Sequence, residues 1–489
     1  MAQNTTGQSR QGMWATVGTF QRAFWMVNIM EMFERLGYYG VRVVVPIYIA
    51  QADEIGGLHF SQTDKGIIFM VWALIQSLVP VFSGGFADRY GYKRTIATSI
   101  TINIIGYILM ATQREFYTFL FGCCVLAFGT AIFKPGLQGT MVRTLNKDNA
   151  SVGWGVFYML VNIGGFLGPP LAHYLHGYSW PTVFFGCAVI YSLNYLMLFT
   201  YKGVDSGAEK RGGPLQIAKL TVKNIIKPRL LIFILVMSGF WLMFMQLFDM
   251  LPNFIVDWVD SSSLVAALHV PAMMTTETAR GTMIAQEWMI NIDAGLIVLC
   301  VVFISWLNAR MRRVHSILTG IIIASAGLLL SGFTMSGTLC ILGIICFAVG
   351  EMLASPKMNE YLGIIAPPGE KALYMGYANM PVAIGWAYGS FFGGRTYDQM
   401  GDKANLALRY LAEHSGITSG VERTQAFGKL QAVLNLNATD ATKLLWDTYH
   451  PYKLWYVFVW IGLASALGIL LYSFWVRKFE VQEGQTSAT

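Results

Sequence analysis

Runs of roughly twenty mostly apolar residues, separated by short polar stretches, set the rhythm of this chain. About 30 Å of hydrocarbon needs about twenty residues at helical rise, so each run predicts a membrane-crossing helix. About twelve can be placed, near residues 22 to 48, 66 to 87, 95 to 112, 117 to 141, 152 to 174, 180 to 200, 229 to 252, 284 to 307, 315 to 335, 338 to 356, 371 to 393 and 452 to 476. The polar, basic stretch from Tyr201 to Leu230 divides them six and six. That is the layout of a carrier built from two similar bundles with a site between them near the midplane. It predicts an all-α membrane protein: one six-helix bundle over 1–200, a linker over 201–228 and a second bundle over 229–489. Two segments beyond the spans, 253 to 283 and 396 to 452, exceed what a connector needs. The second, with an insertion over 396–451, holds the amphipathic pieces "NLALRYLAEH" and "FGKLQAVLNL", and reads as an ordered spacer more than as a lid.

Composition agrees with this pattern: 55% of the 489 residues are hydrophobic and 12% are charged. The net charge of +7 does not point to nucleic acid, because the basic excess falls in alternate short loops. Lys93, Arg94, Arg143, Lys147, Lys202 through Arg229, Arg310, Arg312, Arg313, Arg477 and Lys478 share one side, which the positive-inside rule makes cytoplasmic, with both termini there. No cleavable signal is evident, and the first helix is expected to be retained. The six cysteines all lie in apolar runs and read as small buried hydrophobes. His173 and His176 read as surface groups near a helix end, and no metal-ligand spacing is present. Neither GxSxG, HExxH nor a P-loop occurs, which argues against an enzyme.

Against this background the stretch "EMFERLGYYGVR", Glu31 to Arg42, stands out. A charge at the centre of an inserted helix costs ~2.5 to 3.5 kcal/mol, so Glu31, Glu34, Arg35 and Arg42 together would cost about 10 kcal/mol if unpaired. Glu31, Arg35, Tyr38 and Arg42 follow i, i+4, i+7, i+11 and form one stripe, with Glu34 at its edge. Such a stripe is expected to face a wet cavity. Gly37 and Gly40 permit close helix approach, and Tyr38 and Tyr39 offer a ring face and a hydroxyl. Elsewhere Lys134 precedes Pro135 in "GTAIFKPGLQGT", Glu351 lies deep in a span, and Asp249 and Asp293 approach span ends. Buried carboxylates that meet a cation only part of the time suit coupling to a proton gradient.

These segments resemble the proton-coupled oligopeptide transporters of the major facilitator superfamily. "EMFERLGYYGVR" is similar to that family's ExxER motif, "GGFADRYGYKRTI" to the superfamily's gate loop, "FKPG" to FKPN, "FYMLVNIGGFLGP" to FYxxINxGSL, and "GEMLASP" to the tenth-helix glutamate segment. The resemblance implies a twelve-helix carrier importing di- and tripeptides with protons as the only coupling ion and no cofactor, functional as a monomer in a plasma or inner membrane. Glu31, Glu34 and Arg35 would handle protons; Asp249 and Asp293, which the family pattern lacks, are further proton-site candidates of this sequence itself. Arg42 and Lys134 would bind the peptide carboxylate, and Glu351 the amino terminus, alternating as a partner of Lys134. Asn162 and Asn291 would contact polar groups, Tyr38 and Tyr39 would line pockets, and Asp88 and Arg89 would serve the inner gate. The sequence departs from the family at Met245, where a glutamate usually pairs with Arg42; Asp249, one turn on, is placed to substitute. "NID" at 291–293 replaces "NP", and the linker is too short for two additional spans. These departures border the site and leave room for another solute: a peptide-like drug, an amino acid derivative or an organic anion.

Overall fold

The computed structural model describes residues 17–146, 149–204, 223–365 and 377–486; most of the linker and the start of the eleventh span lie outside the described residues. Twelve helices of at least twenty residues run back and forth among the described residues. They are α1 Arg22–Ala50, α2 Gln62–Tyr90, α3 Tyr92–Thr112, α4 Phe116–Thr144, α5 Ala150–His176 and α6 Trp180–Phe199 in the first half. The second half has α7 Pro228–Asp249, then α8 Leu251–Trp258, α9 Ser262–Leu268 and the strands β1 Thr275–Thr278 and β2 Gly281–Ile284. It continues through α10 Gln286–Ala309, α11 Arg313–Phe333, α12 Gly337–Ile365, α13 Asn379–Met400, the short helices α14 Lys403–Ser415, α15 Ala426–Leu434 and α16 Ala438–Tyr449, and α17 Leu454–Thr486. Eight are long and apolar enough to cross a membrane by composition alone. The other four, α1, α2, α10 and α13, are as long but carry the charges and glycines of the site, the expected exception for helices that face a cavity.

Local chemistry accounts for the helix ends. Ser61 and Asp64 form a reciprocal capping box that starts α2, Asp402 caps α14 through the Asn405 amide at 2.9 Å, and Asn437 caps α16 through the Asp440 amide at 2.8 Å. The β1–β2 hairpin closes at Thr278 and Gly281, and Gly281 takes the left-handed φ of 112° that the turn requires. Buried side chains sort into two clusters that follow the two halves almost completely. Large apolar residues such as Phe121, Leu196, Leu299, Phe303 and Trp460 remain exposed around the outside, the surface a bilayer covers. None of the six cysteines is disulfide-bonded; Cys123, Cys187 and Cys340 are buried, whereas Cys346 lies on the exposed surface.

Within the first bundle α1 lies along α5, and the halves meet where α2 packs on α13 and α5 on α10. Small residues permit these contacts. A Cβ on Gly168 of α5 would lie 2.6 Å from the Leu36 carbonyl oxygen and 2.7 Å from the Gly40 nitrogen of α1. On α2, a Cβ on Gly66 would lie 2.6 Å from the Ser390 carbonyl oxygen of α13. By chain order, Arg22 and Thr486 mark the same end of the twelve helices, and α8, the hairpin and α14–α16 cover the opposite, distal end. The insertion is therefore a packed three-helix unit. Gly66→Val should lower stability by about 1 to 3 kcal/mol through overpacking at the α2–α13 contact, read as a lower midpoint of thermal unfolding in detergent; an unchanged midpoint would remove the close approach.

Candidate functional site

The site begins with α1, whose Glu31, Glu34, Arg35 and Arg42 are almost fully buried. Arg35 is held between two carboxylates one turn and one residue away. Its Nη2 donates to Glu34 Oε1 at 2.7 Å, its Nε donates to Glu34 Oε2, and Glu31 Oε1 lies 3.6 Å from Nε. The guanidinium also stacks on Tyr38 and Tyr39, 4.7 and 5.8 Å from the ring centroids. Tyr38 is positioned in turn by Gln76 of α2, whose Nε2 donates to the Tyr38 hydroxyl at 3.0 Å while Trp72 Nε1 donates to Gln76 Oε1 at 2.7 Å. Glu31 Oε2 is buried with no hydrogen-bond partner. Lys134 of α4 stands within electrostatic reach of Arg35, Glu31 and Glu34, so one bundle supplies two cations and two carboxylates to a single locus.

The other bundle faces it with acids. Glu351 of α12 and Asp293 of α10 lie close enough to repel each other, and Glu351 Oε2 and Asp293 Oδ1 are both buried without hydrogen-bond partners. Tyr39 joins the two sides, within electrostatic reach of Arg35 on one and of Glu351 and Asp293 on the other. Tyr158 of α5 approaches the same two carboxylates. Asn291 crosses the interface differently: its Nδ2 donates to the Phe166 carbonyl of α5 at 2.8 Å, while its Oδ1 has no partner. Asn162 is turned back on its own helix and donates to Tyr158 O at 2.7 Å. The side chains of the gate pair Asp88 and Arg89 lie outside the described residues.

Arg42 is not grouped with Lys134. Two turns beyond Arg35 it pairs with Asp249 on α7, Nη2 to Oδ1, and Nη1 donates to the Phe248 carbonyl at 3.4 Å. Ser390 of α13 donates to Asp249 Oδ2 at 2.5 Å, and Phe69 and Trp386 pack on the guanidinium at 4.5 and 5.3 Å. The α7 helix is interrupted at Met245, between Pro228–Phe244 and the turn Gln246–Asp249. A carboxylate thus reaches Arg42 from a position one turn past the methionine.

Sequence reasoning missed a second set of cross-bundle bonds at the distal end. Lys65 of α2 donates to Asn253 Oδ1 at 2.7 Å, Asn253 Nδ2 donates to Gln51 Oε1 at 3.1 Å, and Gln51 Nε2 donates to Asp257 Oδ1 at 2.9 Å. Arg423 of the insertion pairs with Asp402 and donates to the Ala50 and Phe60 carbonyls at 2.7 and 3.2 Å. Residues 396–451, expected as an ordered spacer, are ordered and in addition bridge both halves. The signal was weak: charges at span ends look like ordinary interfacial residues. The histidines also differ from surface groups. His173 Nδ1 lies 3.6 Å from Glu287 of α10, and His176 Nε2 lies 3.0 Å from Glu54.

The twelve-helix, two-bundle arrangement is matched by comparison. Residues 27–390 fit the model of the Major Facilitator Superfamily. The chain belongs to that superfamily. It is accordingly a multi-pass integral membrane transporter. The multidrug resistance protein MdtH of Shigella sonnei (strain Ss046) is 24% identical over 377 residues, 76% of this chain and 85% of that protein. Among solved structures, a POT family transporter in complex with a thioalcohol conjugated peptide is similar at TM-score 0.64 and 16% identity, with 88% of this chain and 98% of that one covered. The nucleoside transporter NupG is similar at TM-score 0.68 and 11% identity, with 92% and 99% covered. These structural likenesses concern the fold.

Removing one member of the buried Arg42–Asp249 pair should be far worse than removing both. Arg42→Leu is expected to lose about 3 to 5 kcal/mol of stability, and the double variant Arg42→Leu with Asp249→Leu much less. Equal losses in thermal unfolding would mean that the two charges do not depend on each other.

Proposed function

We propose that this transporter is a proton-coupled symporter that imports di- and tripeptides by alternating access. The observation that carries the reading is the pair of buried, unpartnered carboxylate oxygens on Glu351 and Asp293, set across Tyr39 from the Arg35–Lys134 side of the first bundle. A zwitterionic peptide needs an anion for its ammonium and a cation for its carboxylate, separated across a cavity. Glu351 suits the first role and Lys134 the second. Arg42, engaged by Asp249 in this state, acts as a tie between the bundles, so the peptide carboxylate falls to Lys134. Proton handling falls to Glu31 and Glu34, because a proton on either carboxylate releases Arg35 from part of its neutralising shell.

The orientation follows from charge. Lys93, Arg94, Arg143, Arg310, Arg312 and Arg313 occur at helix ends on the same side as Arg22 and Thr486, which the positive-inside rule makes cytoplasmic. The distal end is then external. The resemblance of the sequence motifs to the peptide transporters and the likeness of the fold to a peptide-bound family structure support the substrate class. A second reading, transport of a cationic drug-like solute, is favoured by one observation: two carboxylates exceed what a single ammonium needs. The multidrug resistance relatives point the same way.

Proteoliposomes with an imposed inward proton gradient should accumulate a labelled dipeptide. Uptake indifferent to the gradient removes the proton, and failure with every di- and tripeptide alongside movement of a lipophilic cation selects the second reading. Glu31→Gln and Glu34→Gln should abolish driven uptake while sparing counterflow exchange. Glu351→Gln should weaken apparent peptide affinity about 30-fold, the effect of leaving one end of a buried charge pair unmet.

A further inference from the structure

Beyond the intramembrane cluster, Asp257 is buried at the distal seam between the bundles. It sits on α8, past the apolar span Pro228–Asp249, at the level where α1 ends. Its direct polar partners come from three separate segments of the chain. Gln51, just after α1, donates from Nε2 to Asp257 Oδ1 at 2.9 Å, and the same amide donates to Asp53 at 2.9 Å. Tyr397 of α13 donates its hydroxyl to Oδ2 at 2.8 Å. From the insertion, the Lys403 amide donates to Oδ2 at 3.4 Å and its ammonium stands 4.0 Å from Oδ1. The other charges around it are Asp53 after α1, Lys65 on α2, Arg280 in the hairpin, Asp402 before α14 and Arg423 after it. A small cleft lined by Gln51, Asp53, Asp257, Asp402, Lys403 and Arg423 reaches the carboxylate.

The bond to Gln51 is the feature with a functional consequence. Gln51 belongs to the first bundle and Asp257 to the second, so parting the bundles at this end breaks the bond and wets the carboxylate. Its desolvation is thus supplied by closure itself. We propose that Asp257 is a second proton-binding site, separate from the Glu31–Glu34–Arg35 cluster, which takes a proton from the external side as the distal seam closes.

The sign follows from linkage. In the closed seam burial pushes the Asp257 carboxyl up to about 6, against the opposing pull of the Lys403 ammonium. A solvated aspartate ionises near 3.8. The closed state therefore binds the proton more tightly, and acidification from about 6 toward 3.8 favours closure. Above about pH 6 both states are ionised and the preference disappears. In a proton-driven importer that sign is productive in one respect: an acidic exterior promotes closing over bound solute, while the proton returns to the exterior when the same seam reopens, so the site biases closure without carrying a proton across the membrane. The position in the transport cycle rests on the symport reading. The site itself needs no substrate.

The test is a distance measurement on the full chain in lipid nanodiscs without peptide. Spin labels are placed at Ile55 in the first half and Val433 on α15, both exposed, in a background lacking the native cysteines. Between pH 7.5 and pH 5 the ratio of short to long distances should rise about tenfold, the linkage expected for these two ionisation points. Asp257→Asn, which fixes the neutral form, should favour short distances at both pH values and change less than about twofold. Lys403→Gln should move the midpoint of the transition to higher pH, since the cation that opposes protonation is gone. An Asp257→Asn protein that keeps the full pH response overturns the proposal, as does a midpoint unmoved by Lys403→Gln. Because no solute is present, failure of peptide uptake in liposomes would overturn the symport reading and leave this site standing.

Discussion

A charge carried into a membrane helix must find its opposite inside the protein, and here the opposite is often on the other half of the molecule. Arg42 of α1 meets Asp249 of α7, while Lys65 of α2 is answered by the Asn253 amide oxygen just beyond that span. Each pairing ties two bundles whose apolar cores are otherwise almost separate. Breaking such a pair costs several kcal/mol unless the freed charge is hydrated or protonated. Parting the bundles at these pairings would therefore require the charges they bury to be hydrated or protonated.

This constraint separates two charged zones along α1. Near its middle, Glu31, Glu34 and Arg35 neutralise one another within a single helix, leaving one oxygen of Glu31 unmet. That arrangement can change protonation without moving a bundle. Toward the distal end, Arg42 and Gln51 reach across to α7 and α8, so any change there is also a change of conformation. Lys134, Glu351 and Asp293 lie beside the first zone, within electrostatic reach of it or of Tyr39.

The insertion between α13 and α17 gains significance from the same argument. It is joined by chain to the second bundle, yet Arg423 donates to carbonyls at the end of α1 and in the loop before α2. Those carbonyls lie past or between helices and have no following turn to satisfy them. A cation that caps them and pairs with Asp402 makes the segment part of the distal seam.

Much of this was legible in the sequence. Helix number, the six-and-six division and the α1 stripe follow from chain-local facts, because hydrocarbon thickness sets helix length and 3.6-residue periodicity sets the stripe. The absence of a glutamate at Met245 was equally visible, as was Asp249 one turn away. What the sequence alone could not decide was which distant charges meet. Lys65, Asn253, Asp257 and Arg423 sit at span ends, where a solvated charge and a buried one look the same in a hydropathy pattern. Their burial depends on how α2 lies against α13 and how α14–α16 fold back over α1, contacts between residues hundreds of positions apart. Only the tertiary packing supplies the neighbours that remove water, and that removal turns an interfacial carboxylate into a site.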